Sequence, residues 1–187
     1  MRLKVTVVLL CVVCILVGCG RKNAPLDQAI ELRNAILNSD GCRFRTTVTA
    51  DYGEKIYVFT MDCTTDKEGN LTFTVVNPDT IAGITGKISS TGGALTFDDK
   101  ALMFPTIADG QVSPVTAPWL LIHTLRSGYL KGCAVTETGY EVSIDDSYAE
   151  ESLQLLLDIE HQIPVSAEIF WQGRRVLTLK VENFTIL

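Results

Sequence analysis

Beyond residue 40 the chain alternates apolar and polar positions, and turn clusters break the alternation at short intervals. Strand patterns cover residues 43–50, 55–63, 71–76, 81–89 and 94–97, with a weaker one over 102–107. Asp51-Tyr52-Gly53, Lys67-Glu68-Gly69-Asn70 and Ser90-Thr91-Gly92-Gly93 lie between them, residue types that favour turns. Further strand patterns follow at 132–136, 140–144, 152–159, 164–171 and 175–184. Two helical patterns interrupt the strands. Over 25–38, Leu26, Ala29, Ile30, Leu32, Ile36 and Leu37 recur at helical spacing, and Asp40-Gly41 stops them. Over 118–127, Pro118-Trp119-Leu120-Leu121-Ile122-His123-Thr124-Leu125 is apolar almost all round. Pro118 suits the first turn and Gly128 the end. A helix of that composition is buried on more than one side. With no repeat or linker, 25–187 reads as one α+β domain, mainly β.

Two hairpins are legible in register. A two-residue turn at Tyr52-Gly53 sets Val48 opposite Tyr57, Thr46 opposite Phe59, Phe44 opposite Met61 and Cys42 opposite Cys63, all on one face. Arg43 then faces Asp62 on the other side. Counting outward puts Cys42 and Cys63 on a non-hydrogen-bonded pair, with Cα atoms about 4.5 Å apart. That spacing allows a Cys42–Cys63 disulfide and leaves Cys133 over; two free buried thiols are the alternative. In the last hairpin a three-residue loop, Gln172-Gly173-Arg174, puts Val165, Ala167, Ile169 and Trp171 on one face with Leu177, Leu179 and Val181. Glu168, Ser166, Thr178 and Lys180 take the other. One apolar and one wet face predict an antiparallel sheet covered on one side.

The amino terminus has a different pattern. Arg2 and Lys4 precede an uncharged apolar run from Val5 to Val17, short for a membrane span and suited to a secretory signal. It ends in Leu16-Val17-Gly18-Cys19, which looks like a lipobox. Residues 1–18 are therefore expected to be a cleaved signal. Cys19 is the expected lipidation site, its thiol carrying diacylglyceryl, and 19–24 a tether. Cys11 and Cys14 follow Leu10 and Val13, not a small residue, so Cys19 is the acceptor. The expected location is the extracytoplasmic face of a cell membrane, held by the acyl chains.

Composition narrows the partners. The whole chain carries a formal charge of −6, and loss of Arg2 and Lys4 makes the mature chain more acidic still. An acidic domain with no basic run is a poor nucleic-acid binder. Lipid contact should be made through apolar surface. The cysteines lack metal-ligand spacing, and no nucleophile elbow, zinc-binding His-Glu-x-x-His or phosphate-binding glycine loop occurs. His123, inside the apolar helix, reads as a core residue, and His161 as exposed. Asp98-Asp99 and Asp145-Asp146 read as solvated turns. The chain is expected to be no enzyme and to need no cofactor or metal.

The order of elements resembles the lipoprotein-carrier superfamily, which includes the carrier LolA, the receptor LolB, the stress sensor RseB and the mycobacterial LppX and LprG lipid carriers. The residues that carry the resemblance are Phe73 to Pro78, Pro118 to Leu125, and Ile163-Pro164 through Phe184, with Gln172-Gly173-Arg174-Arg175-Val176-Leu177 between the final strands. The resemblance implies an incomplete antiparallel β-barrel of about ten or eleven strands, with helices covering or plugging its concave face. It implies an apolar space for acyl chains, here lined by Phe44, Phe59, Trp119, Leu121, Ile122, Leu125, Leu177 and Leu179. LolA itself is soluble, whereas this chain has an expected anchor, which favours a receptor or sensor over a shuttling carrier. Two functions stay open. One is a protein that binds a lipid or lipidated molecule. The other is an envelope sensor or assembly scaffold with a filled core and a protein partner.

Overall fold

The structure is a computed structural model that describes residues 24–98, 100–108, 111–146 and 153–187. The expected signal at 1–18, the acceptor Cys19 and the tether up to residue 23 lie outside the described residues. Helix α1 (Ala24–Leu37) leads into β1 (Cys42–Asp51), β2 (Ile56–Thr65), β3 (Leu71–Asn77), β4 (Thr85–Ser89), β5 (Gly92–Phe97) and β6 (Lys100–Phe104). A short pair, β7 (Ile107–Ala108) and β8 (Gln111–Val112), precedes α2 (Ala117–Ser127). Strands β9 (Tyr129–Val135), β10 (Tyr140–Asp145), β11 (Gln154–Glu160), β12 (Ile163–Trp171) and β13 (Arg174–Ile186) complete the chain. The pattern over 81–89 yields a strand only from Thr85, because Asp79–Ile81 forms a 3₁₀ turn.

Eleven strands make one sheet in the order β6-β5-β4-β3-β2-β1-β13-β12-β11-β10-β9. Every neighbouring pair is antiparallel. Two meanders are thus stitched together by β1 and β13, and β6 and β9 remain as edges. This is the incomplete barrel that the resemblance implies. Both helices lie on one face: α1 against β9 and β10, α2 against α1, β10 and β13. Burial alternates as the pleat demands. In β1, Cys42, Phe44, Thr46, Val48 and Ala50 are buried, while Arg43 and Arg45 are exposed.

The first hairpin corrects an expectation. Its loop has four residues, because the Asp51 carboxylate accepts the Gly53 N–H at 2.8 Å and the Tyr52 N–H reaches the Lys55 carbonyl at 3.1 Å. Pairing starts at Asp51 opposite Ile56, which shifts the ladder by two residues. Phe44 faces Cys63, Thr46 faces Met61 and Val48 faces Phe59. The face of every side chain is unchanged, since the side-chain period is two. The partners are not. Cys42 lies beyond Cys63, its N–H donating to Thr65 Oγ1 at 2.8 Å, and Cys42, Cys63 and Cys133 are free thiols. The direct pairing from which a Cys42–Cys63 disulfide was expected is therefore not the one adopted.

The last hairpin keeps its expected register, with Ala167 opposite Leu179 and Ile169 opposite Leu177. The route differs. Gln172 (φ 51°) and Gly173 (φ 74°) form a two-residue turn with both residues left-handed, the conformation that suits strand twist. The third residue is absorbed as an irregularity, since Phe170 pairs with Arg175 and Val176 is the extra residue.

Candidate functional site

The concave face and its two helices form one apolar cluster. Phe44, Phe59, Trp119, Leu121, Ile122, Leu125, Leu177 and Leu179 all belong to it, and none is more than 8% exposed. The structure therefore brings together all eight residues expected to line the interior. Phe44 also stacks on Phe184, ring centroids 5.5 Å apart. Helix α2 follows from its sequence. Pro118 sits in the first turn, and the Gly128 N–H closes the end on the Thr124 carbonyl at 2.8 Å. Its apolar residues are spread around the axis, so it is buried from Ala117 to Ile122 and again at Thr124 and Leu125. The interior is filled with side chains.

Two arginines lock the helices at one end, and the sequence reading missed both. Arg33 of α1 donates from Nε to the Leu125 carbonyl at 2.7 Å and from Nη2 to the Gly128 carbonyl at 2.8 Å. Arg126 of α2 donates from Nη1 to the Ile36 carbonyl at 3.4 Å and from Nη2 to the Lys67 carbonyl at 2.9 Å. Each helix thus supplies a cation to the carbonyl end of the other, where unsatisfied C=O groups and the helix dipole favour positive charge. Burial of the Arg33 guanidinium lowers its pKa. A signal existed for Arg126, a cation in a last helical turn. Arg33, in the middle of its helix, gave none.

At the opposite end of α2, Thr116 and Ala117 are fully buried. The Tyr52 hydroxyl donates to the Val112 carbonyl at 2.9 Å. Beside this bond lie two surface clefts. One of about 700 Å³ is lined by Tyr52, Glu54, Lys55, Tyr57 and residues 111–114. One of about 310 Å³ runs between Tyr52, Val112, Trp171, Arg174 and Val176. Neither takes a side chain from α2. Next to them, three consecutive residues at the start of β2 are exposed: Ile56 (63%), Tyr57 (48%) and Val58 (54%). The site thus combines a packed interior with an apolar exterior at the hairpin tip.

Its reactive groups have little chemistry in reach. Burial pushes the Cys42 thiol up to about 11 and the Cys63 thiol higher still, so both stay protonated at neutral pH. Burial also pushes the Tyr140 phenol up to about 12, helped by nearby Cys133 and Glu31. Thr124 Oγ1, Tyr140 OH and Asp145 Oδ1 are buried without a hydrogen-bond partner. His123 departs from the core position expected of it. It is half-exposed, stacks on Trp119 at 4.5 Å and lies 4.0 Å from Asp146 Oδ1. His161 is exposed in the β11–β12 turn. Asp145, which was read as a solvated turn residue, ends β10 and pairs with Lys131 at 3.3 Å. Among the described residues no three His, Cys, Asp or Glu side chains converge on a point.

No family model matches the sequence, and no curated protein matches it either. Solved structures do. A LolA superfamily protein from Nitrosomonas europaea is similar at 8% identity and a TM-score of 0.44, over 85% of this chain and 93% of that one. Lipoprotein LppX from Mycobacterium tuberculosis is similar at 9% identity and 0.41, over 86% and 93%. The MucA/MucB complex of Pseudomonas aeruginosa gives 11% identity and 0.39, over 85% of this chain and 56% of that one. Likeness of this degree carries no information on ligand or partner.

Proposed function

We propose that the protein is a lipid-anchored, extracytoplasmic and non-enzymatic binding protein that engages a protein partner through the surface around the β1–β2 tip. One observation carries this reading: the space between sheet and helices is filled, while Ile56, Tyr57 and Val58 stand exposed beside two clefts. Exposed apolar residues in consecutive positions of an otherwise alternating strand fit a contact surface. The lipobox-like Leu16-Val17-Gly18-Cys19 supports the location. Changing Cys19 to Ala should leave the protein unprocessed and without acyl chains; an unchanged mature mass in that variant would contradict the lipoprotein assignment.

A second reading has its own support. The two arginine locks act at the C-terminal end of α2, and the Thr124 hydroxyl is unsatisfied inside the core. Displacement of the N-terminal turn of α2 would open a path for an acyl chain beside Tyr52 and Val112. The experiment that separates the readings is a titration of the delipidated domain with palmitate and with a lipopeptide, following melting temperature and Trp119 emission in a Trp171→Phe background. A filled core predicts no change in either. A ligand bound only by the native state raises the melting temperature by mass action, and that result would transfer the function to lipid binding.

A further inference from the structure

The outer face of the sheet, away from the helices, carries a groove of about 790 Å³ across β1 to β5. Two rows of outward side chains form it. In the first, Arg43 faces Thr64, Thr64 faces Thr72, Thr72 faces Lys87 and Lys87 faces Ala94. In the second, Arg45 faces Asp62, then Thr74, Thr85 and Thr96 follow. We infer that this groove binds an extended anionic glycan, its acid groups on Arg43 and Lys87 and its hydroxyls on the threonine rows.

The charge argument comes first. The chain as a whole is acidic at −6, yet this groove is lined by Arg43, Arg45 and Lys87 against the single acid Asp62. Asp62 is already held by Arg45 in a two-pronged contact at 2.7 and 2.8 Å. Arg43 and Lys87 are exposed, and among the described residues neither makes an ion pair. They are separated by three strand steps, about 14 Å at the usual spacing. A ligand must therefore be long and carry more than one negative group to satisfy both.

The lining chemistry then selects the class. The outward side chains between the two cations are Thr64 and Thr72, with Thr74 and Thr85 in the row beside them; Phe44, Cys63 and Phe73 border the groove but are buried in the core. Threonine hydroxyls donate and accept, which matches sugar hydroxyls. Neighbouring strands repeat at about 4.8 Å, close to the length of one sugar unit. The groove lies on the face opposite the helices, so the inference holds whether or not the interior opens.

The test uses the full lipidated chain in nanodiscs of zwitterionic lipid, titrated by calorimetry with polygalacturonate and with neutral dextran. Polygalacturonate should bind, more weakly as salt rises, and dextran should not. The double variant Arg43→Glu, Lys87→Glu should lose about tenfold or more in affinity. Lys67→Glu with Lys100→Glu makes the same change in net charge outside the groove and should bind as the parent does. Arg43→Gln with Lys87→Gln replaces the reversal if melting shows it to be unfolded. Equal loss in the Lys67/Lys100 variant, equal binding of dextran, or no binding of polygalacturonate would overturn the proposal.

Discussion

At the scale of single residues, environment decides chemistry more than identity does. Cys42 and Cys63 share a face and a strand pair, yet each is sealed in the core as a protonated thiol. Their raised pKa values have a definite consequence for stability. An unfolded thiol ionises near 9.0, whereas the folded Cys42 does so at about 11. The folded state therefore holds its proton longer, the associated stability is full below pH 9, and it is lost as pH rises towards the folded value. Alkaline unfolding should begin above pH 9, and a Cys42→Ala, Cys63→Ala variant should lose less of its starting stability over that range. Circular dichroism against pH would show it; identical profiles would contradict the assignment. At pH 8, a thiol reagent should modify half-exposed Cys133 in the native protein, and Cys42 and Cys63 only after denaturant is added.

At the scale of elements, patterns were legible wherever a local rule governed them. The period-two alternation located the strands of the large sheet, and Pro118 with Gly128 bounded α2 to within a residue. The first hairpin shows the limit. Asp51 accepting the Gly53 N–H lengthens the loop, and no alternation rule distinguishes registers two residues apart, since both bury the same face. The last hairpin was legible because a one-residue slip would have set Glu168 against Leu177, which the sequence rejects. The helix lock was illegible because its acceptors are backbone carbonyls on a distant element, and carbonyls have no sequence signature. Arg33→Ala should cost about 2 kcal/mol, the usual scale for hydrogen bonds from a charged group. It should also speed hydrogen exchange in the last turn of α2, a change that lost side-chain packing alone would spread evenly. Gly86→Ala should cost roughly 1–3 kcal/mol by overpacking against Phe73, read as a lower denaturation midpoint.

At the scale of the whole molecule, all eight residues named for the acyl-chain space lie in one buried apolar cluster. What composition could not show was whether the space among them is full. Apolar faces look the same along the chain whether they meet each other or a guest; the difference is set by how far the sheet curls and how deeply α2 sits, which are long-range quantities. Leu121 is the residue that tests it. It is fully buried on the middle of α2, so nothing but other side chains surrounds it. Leu121→Ala should then cost roughly 2–5 kcal/mol, as a cavity opens that the neighbours only partly fill. If the helix instead yields to an acyl chain, the cost measured with saturating palmitate should shrink, because the alkyl chain would occupy the vacated volume. Denaturant titration of parent and variant, each with and without palmitate, gives four midpoints. A filled core requires the loss on substitution to be the same in both pairs; recovery of the variant alone by palmitate would show an interior able to accept a lipid chain once room exists, and recovery of both would show that it already does.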